Sequence, residues 1–150
     1  DQHPLILTPH PGEMLRLMGA KDKSALDDRV AAAREFATTH HVILVLKGWR
    51  PLIASPDGRV FINPTGNAGL GTAGAGDTLT GLISGFLAQA YGTFKDRADA
   101  VTTTVAALYV GGLAGDFAAK QLGMRTMVAS DIREHFRDAI LSLDTSGEQP

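Results

Sequence analysis

Pro64-Thr65-Gly66-Asn67-Ala68-Gly69-Leu70-Gly71-Thr72-Ala73-Gly74-Ala75-Gly76-Asp77 holds five of the chain's 17 glycines and runs straight into an apolar-periodic segment. There Leu79, Leu82, Ile83, Phe86, Leu87 and Ala90 fall at i, i+3, i+4, i+7, i+8 and i+11, one face of a helix. A glycine-rich loop that feeds a helix presents N–H groups with no intrahelical partner, and small residues let a phosphate approach them. Gly74-Ala75-Gly76-Asp77 is therefore a candidate anion hole. A blander alternative stays open, in which the glycines only make a turn and Asp77 caps the helix and meets its dipole. The loop is not a Walker A sequence, since no Lys-Ser or Lys-Thr follows its last glycine. Nor does a strand stand immediately before it, as a dinucleotide fingerprint requires.

A carboxylate beside a bound phosphate repels it, so Asp77 fits such a site only if it faces an acceptor hydroxyl. In that position it would act as general base while the N–H groups hold the transferring phosphoryl group and a divalent cation offsets the remaining charge.

Upstream of the loop, Val42-Ile43-Leu44-Val45-Leu46 is apolar on both faces, the pattern of a strand inside a parallel sheet. Lys47 at its carboxyl end stands where open α/β sheets bind ligands. Leu52-Ile53-Ala54 and Arg59-Val60-Phe61-Ile62, joined by Ser55-Pro56-Asp57-Gly58, read as a hairpin. Pro4 to Thr8 reads as a short strand stopped by Pro9 and Pro11, with a turn or helix after it. Ser24 and Asp27 resemble a capping box ahead of a helix over about 25–39. Downstream, a helix is expected over about 95–117, weakened at its end by Gly111, Gly112 and Gly115 unless these permit a close helix-helix approach. A last helix is expected to be capped by Ser130, and 144–150 reads as a polar tail.

The chain has 150 residues, with 14 Lys plus Arg against 16 Asp plus Glu and a formal charge of -2. That balance supplies no basic field for nucleic acid or anionic lipid. No apolar stretch approaches the roughly 18 residues of a membrane span, so a soluble protein is expected. At 44% hydrophobic residues it has the means to build one core, and residues 1–150 are expected to form one domain. The absence of cysteine excludes thiol catalysis and thiolate metal sites and fits a cytoplasmic setting. His40 and His41 are adjacent and do not share a helix face, which makes them poor joint metal ligands, and no metal site is assigned.

Leu7-Thr8-Pro9-His10-Pro11-Gly12-Glu13, then Leu46-Lys47-Gly48, then Gly66 through Gly81 resemble, in that order, the ADP- or ATP-dependent NAD(P)H-hydrate dehydratases of the ribokinase-like superfamily. The Gly-Ala-Gly-Asp element alone indicates a ribokinase-like kinase, and the Thr-Pro-His-Pro-Gly-Glu segment narrows it to the dehydratase. The resemblance implies a three-layer α/β/α ribokinase-like fold and a lyase that repairs the S-form of hydrated NADH or NADPH. The damaged ring's hydroxyl would be phosphorylated by ADP or ATP with Mg2+ and then eliminated as phosphate. It further implies Asp77 as the base, and His10, Pro11, Gly12 and Glu13, with Asp77, as contacts of the hydrated dinucleotide. The nucleotide would meet Lys47, Gly48, Trp49, Arg50, Asn67, Ala68, Gly69, Leu70, Gly71, Thr72, Ala73, Gly74, Ala75 and Gly76.

Plainer roles remain open for several of these: a turn role for His10, a first-turn dipole role for Glu13, and packing rather than base stacking for Trp49. Gly71 and Ala73 stand where the family more often has Ala and Gly, and Pro51 where it more often has Thr. Family catalytic domains are longer, so this stretch is expected to be their C-terminal half. Its open sheet edge would then be covered by an N-terminal half or by a second copy of the chain. Two rival functions stay in view: a vitamin-precursor or sugar kinase of the same superfamily, and a nucleotide-binding or assembly module without turnover.

Overall fold

The computed structural model describes residues 4–144. Its centre is the all-apolar run: Ile43–Leu46 forms β2, and every residue in it is buried. Side chains alternate across a strand, so Leu44 and Leu46 enter one core and Ile43 and Val45 another. Met14 of α1 (Pro11–Leu17) and Ala33 and Ala37 of α2 (Arg29–His40) complete the first. Ile83 of α3 (Ala75–Phe94) and Ala107 and Leu108 of α4 (Ala100–Leu122) complete the second. Helices thus cover both sheet faces in three layers, which is why β2 has no polar position. α5 (Ala129–Glu134) and α6 (Phe136–Leu143) close a third cluster, in which Ile132 and Ala139 meet Val110, Ala114 and Ala118 of α4.

The sheet order is β1 (Ile6–Leu7), β2, β3 (Leu52–Ala54), β4 (Val60–Ile62). β1 runs parallel to β2 with Ile6 opposite Ile43, whereas β2–β3 and β3–β4 are antiparallel. The expected all-parallel surroundings of β2 are therefore corrected to a mixed sheet. The reason is chain length: only residues 47–51 separate β2 from β3, and a parallel return needs a crossover of about a dozen residues or more. The hairpin stands as expected, with Ser55 N–H donating to Arg59 C=O at 2.9 Å and Gly58 turning at φ +88°.

Several helix boundaries differ from the sequence reading. The Ser24–Asp27 box does not start α2: Asp22 caps a 3-10 turn at Lys23–Leu26, and Asp28 accepts the Ala31 N–H at 2.9 Å to begin the helix. The helix expected from 95 starts at Ala100, because Lys95 has φ +50° and Asp99 accepts the Val101 N–H at 2.9 Å. It continues past its glycines to Leu122. Ser130 lies inside α5, whose first turn is held by Val128 N–H donating to Asp131 at 2.7 Å, and the expected single last helix breaks at His135 into α5 and α6. Residues 145–150 of the expected tail lie outside the described residues. Contrary to the sequence reading, α4 is long and apolar enough to cross a membrane by length and composition. Ten of its residues are buried within the fold, and packing against neighbouring elements accounts for that apolarity.

Candidate functional site

A cleft of ≈ 550 Å³ opens where the segments after β1, β2 and β4 meet the start of α3. Each wall has a local cause. After β1, His10 holds an extended conformation (φ -78°, ψ 167°) and caps α1, with Pro11 in the first helical turn. Its Nδ1 accepts the Glu13 N–H at 3.2 Å, and Glu13 Oε2 accepts the His10 N–H at 2.6 Å. Because Nδ1 is an acceptor here, the neutral ring carries its proton on Nε2, which lies 3.4 Å from Glu13 Oε1. The Glu13 carboxyl is held below its ordinary pKa, first by that His10 N–H and then by the charges of Lys47 and Arg16.

After β2, the Lys47 N–H donates to Pro9 C=O at 2.9 Å, which ties this wall to the first. The Lys47 ammonium lies 3.7 Å from Glu13 Oε2 and 3.3 Å from the point a Cβ on Gly76 would occupy. Arg29, at the start of α2, donates to Trp49 C=O at 2.7 Å and reaches the carbonyls of Lys47 and Leu46 at 3.4 and 3.5 Å. Gly48 turns beneath it at φ +127°. Trp49 is 70% exposed, with the Arg50 guanidinium 5.8 Å from its ring centroid. The packing role left open for Trp49 is therefore not the one it has; the ring stands at the rim.

After β4, the loop lies directly on α4. A Cβ at Gly112 would meet Thr65 Oγ1 at 2.2 Å, and one at Gly115 would meet Leu70 at 2.6 Å. Asn63 donates to the carbonyls of Thr65 and Leu108, and Thr65 to that of Tyr109. Asn67 donates to Gly115 C=O and to Asp116, and accepts from Gly69 N–H, each at 2.9 Å. The loop ends at Gly74, whose φ of +83° opens α3 without any side-chain cap. Asp77 is therefore not the cap of α3. It sits exposed in the first turn, where a carboxylate meets the positive end of the helix. The N–H groups of Gly76 and Asp77 have no intrahelical partner.

Of the residues expected at the site, the cleft brings together His10, Pro11, Lys47, Gly48, Trp49, Arg50, Asn67, Ala68, Leu70, Gly71, Thr72, Ala75 and Gly76. Gly12, Glu13, Gly69, Ala73, Gly74 and Asp77 do not line it, although Asp77 is flanked by Gly76 and Thr78, which do. Glu13 lines a second, shallower pocket with Leu7, Thr8 and Arg16, while its Oε2 stays within 3.7 Å of the Lys47 ammonium. Gly12 instead makes room for the His10 ring, which a Cβ there would meet at 3.1 Å. The sequence reading missed the inner wall: Asn63, Thr65, Leu79, Leu82, Leu108, Gly111, Gly112, Ile132 and Phe136. The helix-interior glycines were the available signal, since each otherwise weakens a helix. Among the described residues no group of three His, Asp or Glu side chains is placed to hold a metal ion.

The profile of the NAD(P)H-hydrate dehydratase family matches residues 1–137. The chain is 43% identical over 148 residues to the bifunctional NAD(P)H-hydrate repair enzyme of Moorella thermoacetica, covering 99% of this chain and 27% of that protein. It is 37% identical over 131 residues to the ADP-dependent (S)-NAD(P)H-hydrate dehydratase of Bacillus subtilis, covering 87% and 45%. The crystal structure of the ADP/ATP-dependent NAD(P)H-hydrate dehydratase of Bacillus subtilis, co-crystallized with ATP/Mg2+, superposes with a TM-score of 0.84 at 33% identity, over 94% of this chain and 48% of that one. A ribokinase-like superfamily protein of Enterococcus faecalis superposes at 0.65 with 29% identity, over 89% and 44%. The fold is ribokinase-like, and the chain spans about half the length of these solved relatives and less than half of the curated ones.

Proposed function

This chain belongs to the NAD(P)H-hydrate dehydratase family, and from that premise we propose that its cleft takes part in the nucleotide-dependent dehydration of the S-form of hydrated NADH or NADPH. The observation that carries the reading is the meeting of two anion-binding features: the start of α3, with its free N–H groups, and the Lys47 ammonium beside Gly76. A helix start and a fixed cation together suit a phosphate in transfer.

In this reading the α3 start and Lys47 hold the phosphoryl group of ADP or ATP, and Asp77 accepts the proton of the ring hydroxyl. The hydroxyl oxygen bonds to phosphorus as the bond to the leaving nucleotide oxygen breaks. Loss of that phosphate with a ring proton then restores the reduced nicotinamide. His10 and Pro11 flank the dinucleotide side, and Trp49 and Arg50 the nucleotide rim. Gly69, Ala73 and Gly74 shape the nucleotide loop rather than touch its contents, as Gly12 and Glu13 shape the α1 side. When bound, Mg2+ would offset the charge of the phosphates and would be held largely by them, with at most one or two carboxylates of the protein. The chain's own part is then to bind the phosphates that carry it, and Asp77 is the acidic group beside them. The shared cores of the three layers support reading the described residues as one domain, and a cytoplasmic setting would supply both nucleotides.

The test is a turnover assay with hydrated NADH or NADPH plus ADP or ATP. Recovery of the reduced-nicotinamide absorbance with release of phosphate supports the proposal. A stable phosphoester on another hydroxyl would favour a kinase, and nucleotide binding without phosphate release a binding module.

A further inference from the structure

We propose that Asp116 of α4 is the positioning residue that sets the shape of the nucleotide loop, and that it acts through Asn67. The proposal rests on the reading of the cleft as a nucleotide site. Asp116 does not line the cleft. Its two oxygens are each engaged by a donor from the loop: Oδ2 takes the Gly66 N–H and Oδ1 the Asn67 side-chain amide, both at 2.9 Å. Asn67 passes the constraint on, since its Nδ2 also donates to Gly115 C=O and its Oδ1 accepts the Gly69 N–H, again at 2.9 Å.

The chemistry requires this pairing in this order. A carboxylate only accepts, and both groups facing it only donate, whereas an amide both donates and accepts. An amide at 116 would point an NH2 group at one of the two donors, and a carboxylate at 67 would face the one at 116. The bonds are charge-assisted, the stronger kind. They act where the helix offers no side chain of its own: Gly112 and Gly115 let Thr65 and Leu70 settle on its backbone. Close contact at those points sets the distance between loop and helix, and Asp116 fixes the register. The loop so held presents Gly66, Asn67, Ala68, Leu70 and Gly71 to the cleft. Asn67, which lines the cleft, is in this proposal also the second member of a clamp.

The experiment compares Asp116→Asn, Asn67→Asp and the double exchange, which swaps carboxylate and amide. ADP and ATP affinities are measured by calorimetry well below each variant's melting temperature, and amide hydrogen exchange of Gly66 and Gly69 is followed without nucleotide. Each single variant is expected to bind nucleotide about tenfold or more weakly, with a nucleotide KM that rises more than kcat falls and faster exchange at both glycines. The double variant should recover part of the affinity and protection. In it the carboxylate at 67 accepts from Gly69 N–H and from the amide at 116, whose oxygen accepts from Gly66 N–H, while Gly115 C=O loses the donor it has in the wild-type chain. Wild-type affinity in the single variants, or a double variant no better than either, would overturn the proposal. If the wild-type chain binds neither nucleotide, the reading of the cleft falls, and the clamp is judged by the exchange pattern and its rescue alone.

Discussion

The Lys47 ammonium stands 3.3 Å from the point where a Cβ on Gly76 would lie. Position 76 is helical, so a glycine there costs up to about 1 kcal/mol relative to alanine without supplying any left-handed turn. What the glycine provides is room: the cation at the end of β2 reaches the first turn of α3, which brings two segments remote in sequence together as the proposed anion site requires.

Gly76→Ala and Gly76→Val should therefore differ. The neighbour is the far end of a flexible lysine, which can give by the few tenths of an ångström that one methyl needs, so alanine should leave nucleotide affinity within a few-fold. The branched valine displaces the ammonium and screens the N–H groups. Loss of one charge-assisted contact corresponds to about 10- to 100-fold weaker binding. Calorimetric titration with ADP and ATP checks both values, and equal affinities in all three proteins would show that phosphate is held elsewhere.

Asp77→Asn should lower turnover by about 10²- to 10⁴-fold, the usual cost of losing a general base. Because Gly74, not Asp77, occupies the cap position of α3, stability should fall only by the dipole contribution of about 0.3–1 kcal/mol. Rate measured alongside thermal unfolding separates the two. A variant that keeps full turnover would remove Asp77 from the mechanism.

His10→Ala removes both a cleft wall and the cap of α1, whereas His10→Asn keeps an acceptor for the Glu13 N–H. The alanine variant should lose roughly 1 kcal/mol of stability and the asparagine variant much less. Both should raise KM for the hydrated dinucleotide more than they weaken nucleotide binding. If the asparagine variant has wild-type KM, His10 serves the helix alone.

Asp99 gives a pH signature away from the site. Its carboxyl is held below the ordinary value, first by the Thr102 hydroxyl at 2.6 Å and then by the N–H groups of the α4 turn, with Arg59 contributing. A lowered folded-state pKa means that its stabilisation is complete above the ordinary carboxylate value and is lost as pH falls through the lowered one. Asp99→Asn should flatten that acid limb of the stability curve while keeping most of the cap. Chemical denaturation across acidic pH reads it out, and an unchanged limb would show that other carboxylates set it.

Local signals carried much of the architecture. The unbroken apolar run at Ile43–Leu46 announced a strand covered on both faces, and the spacing from Leu79 to Ala90 announced α3, because each pattern is complete within one element. The direction of β3 was legible only through the shortness of residues 47–51. What sequence could not display were partnerships across distance: Arg29 with Trp49, Gly112 with Thr65, and Asp116 with Gly66. Each joins residues whose types are unremarkable singly. His10 was missed as a cap because histidine is not among the residues that favour that position, and the close approach that the helix-interior glycines were expected to permit is made at Gly112 and Gly115 by the loop.

The central claim, that the start of α3 and Lys47 hold the transferred phosphate, is tested most directly by following backbone amide resonances during titration with ADP. The account predicts that Gly76 and Asp77 move furthest and saturate together with the Lys47 side-chain signal, and that Gly76→Val moves the response to about 10- to 100-fold higher ADP. Saturable ADP binding that leaves Gly76, Asp77 and Lys47 unmoved would contradict it.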